Sequence, residues 1–311
     1  MIRASLATVN PKAEPRGVRH QPPVTPSHPM NAQVADRLEE TASLLEQQDA
    51  NSFRVQAYRN AASTIRALPR SVMAILHEEG LEGLDRLPNI GPALARAIEQ
   101  IVNTGRLPML DRLRGESDPT ATLATVPGIG EKLARRLNEE LDIESLEQLE
   151  TAAHDGSLGG LAGFGEKRVA GIRDALATRL SRRRRAVEAP SRDGSEPPLV
   201  EEVLDVDREY REASERRKLP TIAPRRFNPK HVKWLPVLHT RRGERHYTAL
   251  FSNTGRAHQL GKTRDWVVLY FDGHDGERQH TVVTASTGPL SGKRVVRGRE
   301  QECEQYYAAR G

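Results

Sequence analysis

The sequence predicts a multidomain chain, an all-α helix-hairpin-helix array followed by a small α+β domain. Three observations carry that expectation: apolar residues three to four apart as far as residue 180, a strand-like alternation beyond Pro220, and a gap-free repeat of short glycine bends that each lead into a helix.

The totals bound the rest. A chain of 311 residues is long enough for about two domains. Only 37% of the residues are hydrophobic, below the ~45–50% of an ordinary globular chain, so parts of it are expected to stay unpacked. No apolar run approaches the roughly 18 residues that span a bilayer. The one cysteine, Cys303, excludes an internal disulfide and a cysteine-rich zinc site. A reducing compartment without membrane partners is expected: cytoplasmic and, given the basic charge, nucleoid-associated. The net charge of +5 is unevenly spread, residues 31–180 carrying −6 and residues 220–311 carrying +8. A polyanion site in the first region therefore has to be a local arrangement of backbone amides and a few cations, while the second region supplies long-range attraction.

Residues 1–29 hold Pro11, Pro15, Pro22, Pro23, Pro26 and Pro29 and read as a disordered tail. It lacks the apolar segment of a secretory signal, and Met30, just before the first helical pattern, is an alternative start of the chain. The first domain is expected over residues 30–180. Val34, Leu38 and Leu45, then Ala57, Ala61 and Ile65, mark two helices, and Pro69, Gly80, Pro88, Pro108 and Pro127 punctuate shorter ones. Residues 181–220 open on the run Arg182 to Arg185 and read as a charged linker with an embedded helix over Leu199 to Lys218. Residues 221–311 form the α+β domain. Strands are expected over Trp234 to His239, His246 to Phe251, Trp266 to Phe271, Thr281 to Thr284 and Arg294 to Arg297, with turns at Arg242-Gly243 and at Asp272 to Gly276. A short helix capped by Asn253 or Thr254 and a last helix over Glu300 to Ala309 complete it.

The repeat carries the functional expectation. Leu87-Pro88-Asn89-Ile90-Gly91-Pro92-Ala93-Leu94-Ala95, Val126-Pro127-Gly128-Ile129-Gly130-Glu131-Lys132-Leu133-Ala134 and Leu161-Ala162-Gly163-Phe164-Gly165-Glu166-Lys167-Arg168-Val169 align without gaps. Each sets an apolar residue between two turn-forming positions. A bend of that kind brings the uncapped N–H groups of the following helix up to a phosphate without side chains in the way. Ala95 and Ala134 let paired helices approach, and Leu94, Ile98, Leu133, Leu137 and Ile172 form the apolar stripe behind. The candidate DNA-binding residues are Gly91, Pro92, Ala93, Gly128, Gly130, Lys132, Gly163, Gly165 and Lys167, and binding through them is expected to be largely independent of sequence. A dinucleotide loop at Gly128-Ile129-Gly130 is the rival reading, but it requires a preceding strand and a glycine where Leu133 stands.

The ordered set Asn51-Ser-Phe53-Arg54-Val-Gln-Ala57-Tyr58-Arg59-Asn-Ala-Ala62, the first hairpin, Asn103-Thr-Gly105-Arg106-Leu107 and the second hairpin resembles the amino-terminal portion of family X DNA polymerases over residues 31–180. The resemblance implies a helical domain and helical subdomain that hold gapped or nicked DNA, with Arg54 and Tyr58 in a pocket for a 5′-phosphate and Arg106 beside the DNA. It also implies a monovalent cation, Na+ or K+, on backbone carbonyls near Leu87, Ile90, Ala124, Val126 and Ile129; no other cofactor is expected. Two departures follow. The lysine that forms a Schiff base in lyase-active relatives aligns with Ala97, a second pocket lysine aligns with Ala93, and the guanidinium of Arg96 cannot replace either amine. Gly194-Ser195 and Asp205-Val206-Asp207 imitate the order of the polymerase palm motifs, yet Glu196 and Pro197 stand where arginines belong and the aspartates fall in a helical stretch.

In the second domain Arg256, His258, Lys262, Arg264, Lys293, Arg294, Arg297 and Arg299 form either a second phosphate-binding face or a solvated basic surface. His231, His239, His246, His258 and His280 lack the spacing of a metal site. Trp234, Trp266, Tyr270 and Phe271 are expected in the hairpin core rather than as base-stacking platforms. The leading expectation is a non-catalytic, sequence-independent DNA-binding protein of repair or recombination that takes gapped, nicked or branched duplex; the alternative is a DNA-processing enzyme, of the family X polymerase or lyase type or with an unknown activity in the second domain.

Overall fold

The computed structural model of the protein describes residues 28–116, 119–124, 126–144, 146–176, 198–273 and 276–310. Residues 1–27 of the expected disordered tail, the basic run and Gly194-Ser195 lie outside the described residues, whereas Pro29, the last residue of that tail, already opens the first helix.

Helices come first, as the periodicity predicts. Helix α1 (Pro29–Gln47), α2 (Ser52–Ala67), α3 (Val72–Asp85), α4 (Pro92–Thr104) and α5 (Pro108–Leu113) share one core. Val34, Leu38 and Leu45 of α1 and Ala61 and Ile65 of α2 are all fully buried in it, at about 1.5–3 kcal/mol for each large aliphatic side chain. Buried Asn31 ties two helix starts together. Its amide nitrogen donates to Arg70 O at 2.8 Å, and its oxygen accepts from Val72 N at 2.8 Å, which caps α3 where Ser71 does not. A second core gathers α6 (Pro119–Leu123), α7 (Glu131–Leu141), α8 (Leu146–His154), a short 3-10 turn (Ser157–Gly160) and α9, described over residues 166–176.

Beyond residue 198 the architecture changes. Strands β1 (Thr221–Ile222), β2 (Leu235–Arg242), β3 (Arg245–Phe251), β4 (Val267–Gly273), β5 (Gly276–Thr284) and β6 (Arg294–Val296) form a six-stranded antiparallel meander in sequence order. The β2–β3 turn falls at Gly243 and Glu244, between the paired Arg242 and Arg245. Thr254 caps α11 (Gly255–Gln259), accepting from Ala257 N at 3.0 Å, and α12 (Glu300–Ala308) ends the described fold.

One element departs from expectation. Helix α10 (Val200–Glu215), read from its flanking charges as part of a linker, is a wall of the sheet domain's own core: Val200, Val203, Val206 and Tyr210 are buried with Tyr247, Ala249, Phe251, Val267 and Leu269 of the sheet. The Tyr210 hydroxyl donates to Pro236 O at 3.0 Å and accepts from Phe251 N at 2.8 Å, fastening helix to sheet. Its charges do similar work. Asp207, 1% exposed, takes both arms of Arg294 at 2.7 and 2.9 Å, and Arg242 reaches Asp205 at 2.6 Å and Glu209 at 2.7 Å.

The sheet thus has an apolar face under α10 and, turned to the helical array, a face that is apolar at Val237, Leu250 and Val268 and polar toward Thr248, Tyr270 and Asp272, called the polar face below. Residues alternate between the two by register: Tyr247 pairs with Phe271 on the apolar side, and Thr248 pairs with Tyr270 on the polar side. The array docks there. Gln48 donates to Leu113 O at 2.8 Å and meets His239 Nε2 at 3.2 Å; Arg225 N donates to Gly115 O at 2.7 Å. Gly115 has φ 77°, and a Cβ there would fall 2.6 Å from Ala223 O, so only glycine allows this approach.

Candidate nucleic-acid interface

The three repeat segments adopt the same bend. In each, the apolar central residue donates back to the residue three before it: Ile90 to Leu87 at 3.2 Å, Ile129 to Val126 at 3.0 Å and Phe164 to Leu161 at 3.1 Å. The residue preceding it is left-handed, with φ of 62° at Asn89, 86° at Gly128 and 97° at Gly163. Asparagine tolerates that region better than other side chains do, which explains how hairpin one keeps the bend without a glycine. The central residues Ile90, Ile129 and Phe164 are 3–4% exposed and anchor each bend to its core.

The second glycines are different. Gly91 and Gly130 have φ of −96° and −84°, values open to any residue, and a Cβ added at Gly91, Gly130 or Gly165 would meet nothing within 4 Å. The fold itself has no use for glycine there. What its absent side chain provides is bare backbone at the start of α4, α7 and α9, facing outward, and neither Gly91 nor Gly130 caps its helix with a side chain. The first-turn N–H groups are therefore open to an anion. Lys132 and Lys167 are exposed one position inside α7 and α9, whereas Pro92 and Ala93 leave α4 without a cation at that place. Glu131 and Glu166 are also exposed and partly offset the lysines, so the amides have to supply much of any attraction for phosphate.

Hairpins two and three are built as a pair. A Cβ on Gly163 would fall 3.0 Å from Leu133 Cδ2; Arg136 of α7 donates to Ala162 O of hairpin three, and within that hairpin Arg168 donates to Gly163 O. Hairpin one stands apart in the first core. Its Gly91, Pro92 and Ala93 open onto a cavity of about 2050 Å³ between the helical array and the polar face of the sheet.

Comparison with known proteins follows the same division. Residues 29–107 match the profile of a helix-hairpin-helix domain, and residues 120–178 that of a SAM-like helix-hairpin-helix tandem. The chain is 30% identical over 140 residues to the DNA polymerase/3'-5' exonuclease PolX of Bacillus subtilis, a match that covers 45% of this chain and 24% of that protein. It is 32% identical over 90 residues to DNA polymerase IV of Saccharomyces cerevisiae, covering 29% of this chain and 15% of the relative. The amino-terminal half is a helix-hairpin-helix region of the polymerase X type. The chain spans about a quarter or less of the length of these relatives.

Within the polymerase X-type region the residues expected around a 5′-phosphate are not at an open surface. Arg54 is 6% exposed and Tyr58 9%; both lie under the polar face of the sheet. Arg54 reaches Asp272 at 3.3 Å and Thr248 Oγ1 at 3.5 Å, and the Tyr58 hydroxyl meets Met109 Sδ at 3.3 Å. Burial is the largest influence on Arg54 and opposes its charge, but Asp272, Tyr58 and Glu277 together more than restore it, and burial pushes the Tyr58 phenol well above its ordinary range. Next to them Arg112 pairs with Glu277 and lies 3.5 Å over the Tyr270 ring. Arg106 is held by Asp111 at 2.8 Å. Glu277 and Arg112 belong to no motif of the sequence, and Asp272 is expected there only as a turn residue. The polar alternation Glu277, Gln279, Thr281 along β5 is the signal that one face of this strand meets something other than an apolar core.

Other expectations are resolved by position. Ala97 is buried and Ala93 exposed, and both line the cavity. The Leu87 and Val126 carbonyls already accept one turn bond each and retain a second lone pair, so they fit a monovalent cation as donors. Among the described residues no cluster of three or more His, Cys, Asp and Glu side chains suits a metal ion. Asp205 and Asp207 lie on α10, tied to Arg242 and Arg294, rather than on a strand. The basic residues of the second domain do not share one face: Arg294 is spent on Asp207 and Asp265 beneath α10, Arg299 on Glu302 and Pro198 O, while Arg256 and Arg297 line the cavity. Phe271 is core as expected; Trp234, Trp266 and Tyr270 are half-buried and packed against that core, and Trp266 and Tyr270 also line the cavity. Among the described residues no helix is long and apolar enough to cross a membrane.

Among the titrating groups at this junction, His239 and Glu144 are shifted far. Burial, aided by Arg54 and Arg112, lowers His239 to about 3. Burial raises Glu144 to about 7, although Arg226 stands 3.7 Å away.

Proposed function

We propose that this protein is a non-catalytic, largely sequence-independent DNA-binding protein that holds gapped, nicked or branched duplex in repair or recombination through Gly91, Pro92, Ala93, Gly128, Gly130, Lys132, Gly163, Gly165 and Lys167. The observation that carries it is the trio of second glycines, whose missing side chains the fold does not need and an approaching phosphate does. Names of relatives with polymerase activity support DNA as the polyanion. The non-catalytic part of the reading is supported by Ala93 and Ala97 where amines would be needed, and by the arginine-bound aspartates of α10. A terminal phosphate that reached Arg54 would have to displace Asp272, so the hairpins are the first contact. Backbone carbonyls of Leu87, Ile90, Ala124, Val126 and Ile129 would hold Na+ or K+ at the bends.

The test is a binding panel of nicked, gapped, forked and continuous duplex with the full chain, followed by product analysis with magnesium and deoxynucleotides. Gapped or nicked DNA is expected to bind without product. Changing Lys132 and Lys167 together to Ala is expected to reduce the slope of log affinity against log salt by about 2. Unchanged binding in that double variant would overturn the hairpin assignment, and primer extension would overturn the non-catalytic one.

A further inference from the structure

We infer that the cavity between the helical array and the sheet takes a short unpaired stretch of DNA, with one base lying on the layered side chains of Arg297 and Trp266. The inference rests on the proposed hairpin contacts and adds a second, single-strand site on the domain that the resemblance does not cover. Arg297 is held on the cavity side by its own backbone, whose N–H donates to Thr281 O at 2.9 Å. Its guanidinium lies 4.1 Å from the centroid of the Trp266 ring. The other cations at this junction are engaged: Arg54 with Asp272, Arg106 with Asp111, Arg112 with Glu277, Arg226 with Glu144, Arg256 with Asp142. Arg297, among the described residues, has no carboxylate within 4 Å and is exposed. A flat cation already stacked on an indole offers its outer face to a nucleobase and its edge to a phosphate, a combination suited to unpaired nucleotides.

Size and continuity select the occupant. A small ligand fills roughly 300–1000 Å³, so about 2050 Å³ suits a strand of several nucleotides better than a single metabolite. The same cavity reaches Gly91, Pro92 and Ala93 of hairpin one. A strand leaving a phosphate contact there passes along a wall of Gln279 and Thr281, both polar, toward Arg297. At a gap or a branch, duplex on the hairpins would thus continue into unpaired DNA on the sheet.

The chain has two tryptophans, so Trp234→Phe leaves Trp266 as the reporter. Titrating that full-length variant with an eight-residue oligothymidylate is expected to quench its fluorescence to saturation. Adding Arg297→Gln is expected to weaken the binding about tenfold, in line with the loss of one stacked base, and thymidine monophosphate at the same concentrations is expected to leave the signal unchanged. Should Trp234→Phe fail to fold, anisotropy of the labelled oligonucleotide is read on the native chain with and without Arg297→Gln. Absence of saturable binding, indifference to Arg297→Gln, or equal quenching by the mononucleotide overturns the inference. The Lys132, Lys167 double variant keeps the two readings apart: it is expected to lose affinity for gapped duplex while quenching by the oligonucleotide persists. Loss of the oligonucleotide signal alone condemns the cavity site and leaves the hairpins standing.

Discussion

The two faces of the sheet are built from the same strands and meet helices on both sides, yet they are held by different means. The face under α10 is apolar, with Tyr247, Ala249, Phe251, Val267 and Leu269 buried, and the deeply buried charge there, Asp207, is matched by Arg294. The face toward the helical array is mixed: Val237, Leu250 and Val268 are buried on it, but Thr248, Tyr270, Asp272 and Glu277 meet Arg54 and Arg112, and a large cavity remains beside them. A face closed by apolar packing stays closed, because opening it exposes area in proportion to its stability. A face closed by hydrogen-bonded charges exchanges one polar partner for another, water or phosphate, at little net change. The polar face is therefore where a ligand can enter.

The sharpest way to break that comparison is to unbalance the apolar face. Arg294→Ala strands the Asp207 carboxylate and is expected to remove about 3–5 kcal/mol of stability, as for other buried pairs that lose one partner, measured by urea unfolding of the full chain. A loss below about 1 kcal/mol would mean that this face is not closed in the sense argued. Next in size is the acid response of the polar face. His239 is neutral in the fold down to about 3 but takes a proton near 6.5 when unfolded. Its contribution is full above pH 6.5 and is lost as pH falls toward 3. Between pH 6.5 and pH 5 that amounts to about 1–2 kcal/mol, and His239→Gln should flatten this part of the stability curve; an identical slope in both proteins would remove His239 from the account. The smallest effect is expected at Arg54→Met, about 1 kcal/mol, because Asp272 is 29% exposed and can recover water. A cost as large as that of Arg294→Ala would show that both faces are closed alike.

How far the sequence could be read differs along the same lines. The hairpin bends were legible because their cause is local: Gly128 and Gly163 need left-handed backbone, Asn89 tolerates it, and the apolar residue after each must turn inward whatever surrounds it. The strands from β2 to β6 were legible from alternation, and Thr254 from its capping chemistry. Helix α10 was recognised as a helix but misplaced in a linker, since nothing in its own residues says that Arg294, 87 positions away, will pair with Asp207. Trp266 and Tyr270 pack against the core, as aromatic residues in strands are expected to do, but only the register shows that their face also borders the cavity.

From its residues alone the chain settles its helices, its turns, its strand alternation and the bare amides of three bends, because each depends on dihedral preferences and on a period within a few neighbours. Tertiary structure decides which face of the sheet is dry, that Arg54 faces Asp272 from 218 positions away, and that Arg297 keeps its charge uncommitted beside Trp266. Those outcomes depend on the partner that burial brings to each charge, and no local stretch of sequence contains that partner.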